Sequence, residues 1–188
     1  MSDPVTKLLS EAAAVTFTVA EKKRFREMGR ELDTVYTTLG NYDGGKLAAQ
    51  LEAAHAGCAP DGAKLDGMDD RLAAVASIQK SINEGPARIG HAREVERAVF
   101  GEAKAPARKL LTAAIAQADA LLANPPALPT PPALTEWGVS IDLPGQFRAV
   151  IEDAKQALTA DLHDDYGRRG SPEVGFHHLT RAGLTNEK

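Results

Sequence analysis

Residues 103–123, AKAPARKLLTAAIAQADALLA, decide the fold class of this chain. Leu110, Leu111, Ala114, Ile115, Ala118, Leu121 and Leu122 recur at helical spacing and share one stripe, while the intervening positions are small or charged. Alanine has the strongest intrinsic helix propensity, and the whole chain follows the bias of this segment. Of 188 residues, 33 are alanine, and Leu, Ile, Val and Phe together number only 40. That share lies just above the level of about 20% below which a chain tends not to fold. So thin a supply of large apolar side chains suits closely packed helices better than a sheet sandwich. The expected class is nearly all-α, a multi-helix bundle.

Upstream of this stripe the same reading predicts a series of shorter helices. Ser2-Asp3-Pro4 offers a cap followed by a proline suited to a first helical turn. The run Val15-Thr16-Phe17-Thr18-Val19 is β-branched or aromatic throughout, which disfavours a helix interior, and Thr18 with Glu21 forms a capping box. A break there is expected, although one helix over residues 3–39 with a local distortion is the alternative. The second helix carries Phe25, Met28, Leu32, Val35, Tyr36 and Leu39 and stops at Gly40. A short helix with Leu47, Leu51 and His55 follows, then one marked by Leu65, Met68, Leu72, Val75, Ile78 and Ile82 that ends at Gly85-Pro86. Another occupies residues 87–100 and stops at Gly101. The bundle is thus expected to span residues 1–123. Phe25, Met28, Leu32, Val35, Leu110, Leu111, Ile115, Leu121 and Leu122 are its expected core or a subunit interface.

Residues 124–133, NPPALPTPPA, contain five prolines and read as a stiff linker, roughly 30 Å long at about 3.1 Å per residue in a polyproline conformation. Beyond it Trp137, Val139, Ile141 and Leu143 alternate with Gly138, Ser140 and Asp142, the pattern of a strand. A helix from about Gly145 to His163 completes a small lobe over residues 134–163. Residues 164–188 read as an extended polar arm.

Charge and composition narrow the function classes. The net charge is −4, with 22 basic and 26 acidic residues mixed along the chain and the acidic excess concentrated after residue 123. A nucleic-acid binder normally carries a basic stripe, and none is present overall. Cys58 is the only cysteine, which excludes an internal disulfide. The apolar runs are far too short for a membrane span, and the N-terminus lacks a signal-peptide pattern. A soluble protein is expected, cytoplasmic or within a particle assembled in the cytoplasm.

Motifs with chemical potential are sparse. His163-Asp164-Asp165 with His177 and His178 has suitable donors for a metal, but the spacing fits no established motif and a helix end followed by a solvated tail explains it. His55 and His91 read as surface histidines. The basic run at residues 22–26, KKRFR, spreads its charges around a helix whose apolar side takes Phe25. Asp43-Gly44-Gly45-Lys46 reads as a turn and helix start, lacking the full phosphate-loop pattern. Neither Cys58 nor any serine sits in a nucleophile motif, and Asp69-Asp70 and Glu152-Asp153 diverge on a helix. Pro126-Ala127-Leu128-Pro129 fits PxxP but has no flanking cation for a groove of the SH3 type. No catalytic, cofactor-binding or metal-ligating residue is assigned, and no cofactor is expected.

The expected function is therefore non-enzymatic: a structural, assembly or adaptor subunit holding other proteins through amphipathic helices and its C-terminal arm. The partner would be homo- or hetero-oligomeric, and a large assembly such as a virion would hold polar ends like Thr185-Asn186-Glu187-Lys188 in place. On the arm, Phe176, Leu179 and Leu184 are the expected anchors, with Arg168 and Arg169 meeting acidic groups. The alternatives are a helical-bundle enzyme or small-ligand binder, and a nucleic-acid-associated factor using residues 22–26.

Overall fold

The computed structural model describes residues 3–58, 67–127, 142–163 and 173–186. Helix accounts for 89% of them, with no strand among the described residues, which establishes the all-α class. The elements are α1 (Pro4–Thr16), α2 (Val19–Asn41), α3 (Gly44–Gly57), α4 (Met68–Ala123), α5 (Leu143–His163) and α6 (Glu173–Arg181).

Local chemistry explains the early boundaries. The Asp3 carboxylate caps α1 by accepting from the Thr6 N–H, and Pro4 occupies the first turn. The helix ends where Phe17 turns to an extended conformation (φ −117°, ψ 139°). Thr18 and Glu21 then form the reciprocal capping box: the Thr18 N–H donates to Glu21 Oε2 at 2.7 Å, and the Glu21 N–H donates to Thr18 Oγ1 at 3.2 Å. Residues 3–39 are thus two helices. Asp43 caps α3 in the same way through the Lys46 N–H.

Two expected stops do not exist. Gly85-Pro86 and Gly101 lie inside α4, which runs unbroken for 56 residues. Pro86 and Pro106 each remove one donor, leaving the Ile82 and Glu102 carbonyls without their usual intrahelical partners. Around Pro86 the ladder is held by ion pairs one turn apart, Lys80 to Glu84 at 3.8 Å and Arg88 to Glu84 at 2.6 Å. Gly85 is present for a different reason. A Cβ there would stand 1.8 Å from the Tyr42 ring, so the bare backbone accommodates the aromatic side chain.

The described residues divide into two compact units, but not at the prolines. One unit comprises residues within Met1–Gly29 and Val99–Lys188, the other those within Arg30–Ala98, and α2 and α4 contribute to both. Of the expected separate lobe over residues 134–163, residues 142–163 are described. The helix there, α5, packs on α1 in the first unit, and its Ile151, Ala154 and Leu158 are buried. Of the expected linker, residues 128–133 lie outside the described residues. So do positions 137–141 of the expected strand, and its last position, Leu143, opens α5 after Asp142 caps it by accepting from the Gly145 N–H at 2.9 Å.

The core of the first unit is built from Leu8, Leu9, Ala12, Ala13, Phe17, Phe25 and Met28 against Val99, Phe100, Ala103, Ala107, Leu110, Leu111, Ala114 and Ala118. The buried alanines at 103, 107, 114 and 118 of α4 let neighbouring helices approach closely, so a thin set of large side chains suffices. Of the expected core, Phe25, Met28, Leu32, Val35, Leu110 and Leu111 are buried, whereas Ile115, Leu121 and Leu122 are half-buried. The second unit is lightly packed. Among its described large apolar side chains only Leu32 and Val35 are buried.

Candidate functional site

The C-terminal segment was expected to be an extended polar arm; over residues 173–181 it is instead an amphipathic helix. Gly175, His178 and Leu179 on α6 and Ala182 just beyond it are buried, at spacings of three and four that define one helical face. Gly175 lies against the α4 backbone, its would-be Cβ 3.5 Å from the Ala103 carbonyl oxygen and from Lys104 Cα. The Phe176 ring packs at 6.2 Å from that of Phe100. The Arg181 Nε donates to Thr6 Oγ1 at 2.9 Å, and its terminal nitrogen pairs with Asp3, tying α6 to the start of α1.

The helix closes with a Schellman turn. The Leu184 N–H donates to the Leu179 carbonyl at 3.0 Å, the Gly183 N–H to that of Thr180 at 2.8 Å, and Gly183 adopts φ +75°. Leu179 and Leu184, the hydrophobic pair of that motif, are both buried. The following residue passes against α2: a Cβ on Gly29 would meet the Thr185 carbonyl oxygen at 2.5 Å.

Three of the expected partner anchors fall in this segment. Leu179 and Leu184 are spent on the chain's own core, and Phe176 is half-buried against Phe100. Arg168 and Arg169 lie outside the described residues. The signal for α6 was present in the sequence. Ser171-Pro172-Glu173 is a helix-start pattern, and Leu179, Gly183 and Leu184 carry the Schellman signature. Composition, averaged over the tail, concealed both.

His178 was also read as part of a solvated tail. The structure buries it to 3% exposure, with neither ring nitrogen hydrogen-bonded among the described residues. Burial lowers its pKa below the ordinary histidine value; Asp161 Oδ2, 3.6 Å from Nε2, opposes that shift, and the neighbouring His177 adds to it. His163 and His177 are exposed, and no group of three metal-ligating side chains occurs among the described residues.

The basic run at residues 22–26 is engaged within the chain. Lys22 donates to the Ala14 carbonyl at 3.1 Å, and Lys23 pairs with Glu27 at 3.9 Å. Arg24 holds Glu102 through two nitrogens at 2.9 and 2.7 Å, and these hydrogen bonds draw the Glu102 pKa below the usual carboxylate range. Arg26 donates to the Lys22 carbonyl at 3.2 Å. Glu21 is likewise drawn down, first by the Thr18 N–H and hydroxyl and then by Lys109, whose Nζ lies 5.1 Å from the centre of the Phe17 ring.

Two kinds of surface remain. In the first unit an apolar groove of about 540 Å³ is lined chiefly by Pro4, Leu8, Leu121, Phe147, Val150 and Ile151. In the second unit, no residue of α3 is buried and none of residues 68–84 of α4 is, although Leu47, Leu51, Val75, Ile78 and Ile82 are all at least half-covered and Leu72 is 53% exposed. Comparison with known protein families, with curated proteins and with solved structures finds no match, so the functional reading rests on these residues alone.

Proposed function

We propose that this chain is a non-enzymatic assembly or adaptor subunit that binds other proteins through the helices of residues 30–98. The observation that carries this reading is the sparse burial of that unit. An amphipathic helix in water gains most of its stability from packing its apolar face, not from propensity. The apolar residues of α3 and the first turns of α4 stay only partly covered within their own unit, and a partner helix laid along them would complete their burial at about 25 cal/mol per Å². The engagement of residues 22–26 within the chain leaves the nucleic-acid alternative with less support than its sequence suggested. The apolar groove beside Phe147 favours a second reading, a binder of a small apolar molecule, which a solvatochromic dye displaced by Phe147→Asp would test.

The test of the leading reading is mass. Light scattering on the purified full chain should give a value above 19.9 kDa, or a stable complex with a protein purified alongside it from the native source. Replacing Leu72 and Val75 together by lysine should return the chain to its single-chain mass with helical content intact. A wild-type chain that runs at 19.9 kDa and brings no protein with it from the native source would defeat the proposal.

A further inference from the structure

Among the described residues His178 is the one titratable side chain whose ring nitrogens are buried without a hydrogen-bond partner. It sits at the centre of the buried face of α6, between Gly175 and Leu179 on the same helix and Asp161 on α5. At 3.6 Å the Asp161 oxygen is beyond hydrogen-bond reach of Nε2. We propose that His178 makes the seating of α6 and residues 182–186 in their unit pH-sensitive, the neutral imidazole keeping the helix docked and the protonated one releasing it.

Two effects oppose each other at His178. A cationic imidazole in an apolar setting loses its hydration and must find an acceptor, and unpaired buried charge is among the costliest states a side chain can occupy. Asp161 would attract that charge, but its side chain is 42% exposed and its field is shared with water. The His177 ring, 6.1 Å away on the same helix, repels a second proton. From α1, Asp3 is already paired with Arg181 and brings no net charge to the helix. On α4, Lys104 lies against Gly175 of the same helix face, and a cation there would disfavour a second positive charge on the ring. Burial therefore prevails, and the docked state binds fewer protons than the released one. The stabilisation is complete above the ordinary histidine pKa of about 6.5 and is lost as pH falls from there through the lower docked-state value. Carboxylates ordinarily titrate near pH 4, so a window from pH 8 to pH 5 isolates the histidine. Release would also uncover Phe176, Leu179 and Leu184 together, turning a buried core patch into an apolar surface.

Hydrogen exchange on the full chain tests this, with rates corrected for intrinsic pH dependence. The amides of Ala182, Gly183 and Leu184, whose carbonyl acceptors are His178, Thr180 and Leu179, should lose protection between pH 8 and pH 5 while those of α1 keep theirs. In His178→Phe and His178→Gln, either of which serves if the other misfolds, protection of these amides should be the same at both pH values. In His177→Gln the wild-type loss should persist. Unchanged protection in the wild type, the same loss in either His178 variant, or its disappearance in His177→Gln overturns the proposal.

Discussion

At the scale of single residues, the decisive positions are those where one atom more or less changes what the backbone can do. Gly29 is one. Alanine there would gain about 1 kcal/mol of helix propensity, but its Cβ would meet the Thr185 carbonyl oxygen at 2.5 Å, and a backbone oxygen cannot swing aside as a side chain can. Overpacking of this kind costs about 1–3 kcal/mol, so Gly29→Ala should lower the denaturant midpoint; a higher midpoint would show that the tail does not press on α2. Gly183 is the other, since its φ of +75° is strained for any L side chain. Thr18 acts through a hydroxyl. Its loss in Thr18→Ala removes the acceptor for the Glu21 N–H and should cost about 0.5–2 kcal/mol in a urea titration.

At the scale of elements, α4 shows how a helix outlasts its own breakers. Each internal proline deletes a hydrogen bond, yet α4 runs through both; one ion pair, Arg88 to Glu84, spans Pro86, and alanines at 103, 105 and 107 flank Pro106. Pro86→Ala should therefore raise the thermal midpoint by restoring the bond to the Ile82 carbonyl; a fall would mean that the proline shapes the helix in a way the fold requires. Burial along the same helix separates its positions. Leu111→Ala should cost about 2–5 kcal/mol in equilibrium unfolding, because Leu111 is fully buried and the cavity left behind adds to the transfer cost. Ile115→Ala, at a half-buried site, should cost less, and equal costs would contradict the packing of α4.

At the scale of the whole molecule, the tail belongs to the core of the first unit. Leu179, Ala182 and Leu184 are buried with α1 and α4 residues of the same unit, and Arg181 closes onto Asp3 and Thr6. Deleting residues 173–188 should consequently lower the unfolding temperature of the chain, as seen by circular dichroism. A truncated chain that melts with the wild type would show that α6 adds nothing to the fold. The second unit is expected to be the region of low local stability. With so little of its apolar surface buried, its amides should exchange faster than those of α1 and the C-terminal half of α4.

The sequence by itself determined what depends on neighbours within a few residues. The all-α class follows from alanine content and apolar spacing, the break at Thr16–Thr18 from a β-branched run beside a capping box, and the start of α3 from Asp43. These are local choices, settled by propensity and by side chains reaching their own backbone. The tertiary structure decided where breakers yield and which apolar residues stay inside. Gly85, Pro86 and Gly101 read as stops because a one-dimensional pattern does not show that Gly85 makes room for the Tyr42 ring, or that Gly101 sits in a turn whose Val99, Phe100 and Ala103 are buried. The tail read as an arm because Phe176, Leu179 and Leu184, widely spaced among polar residues, cannot bury themselves alone; with the segment seated against Phe100, Ala103 and Gly29 they can. His178 became the least solvated histidine for the same reason, since burial is a property of what surrounds a side chain, and Asp161 beside it lies 17 positions away in the chain.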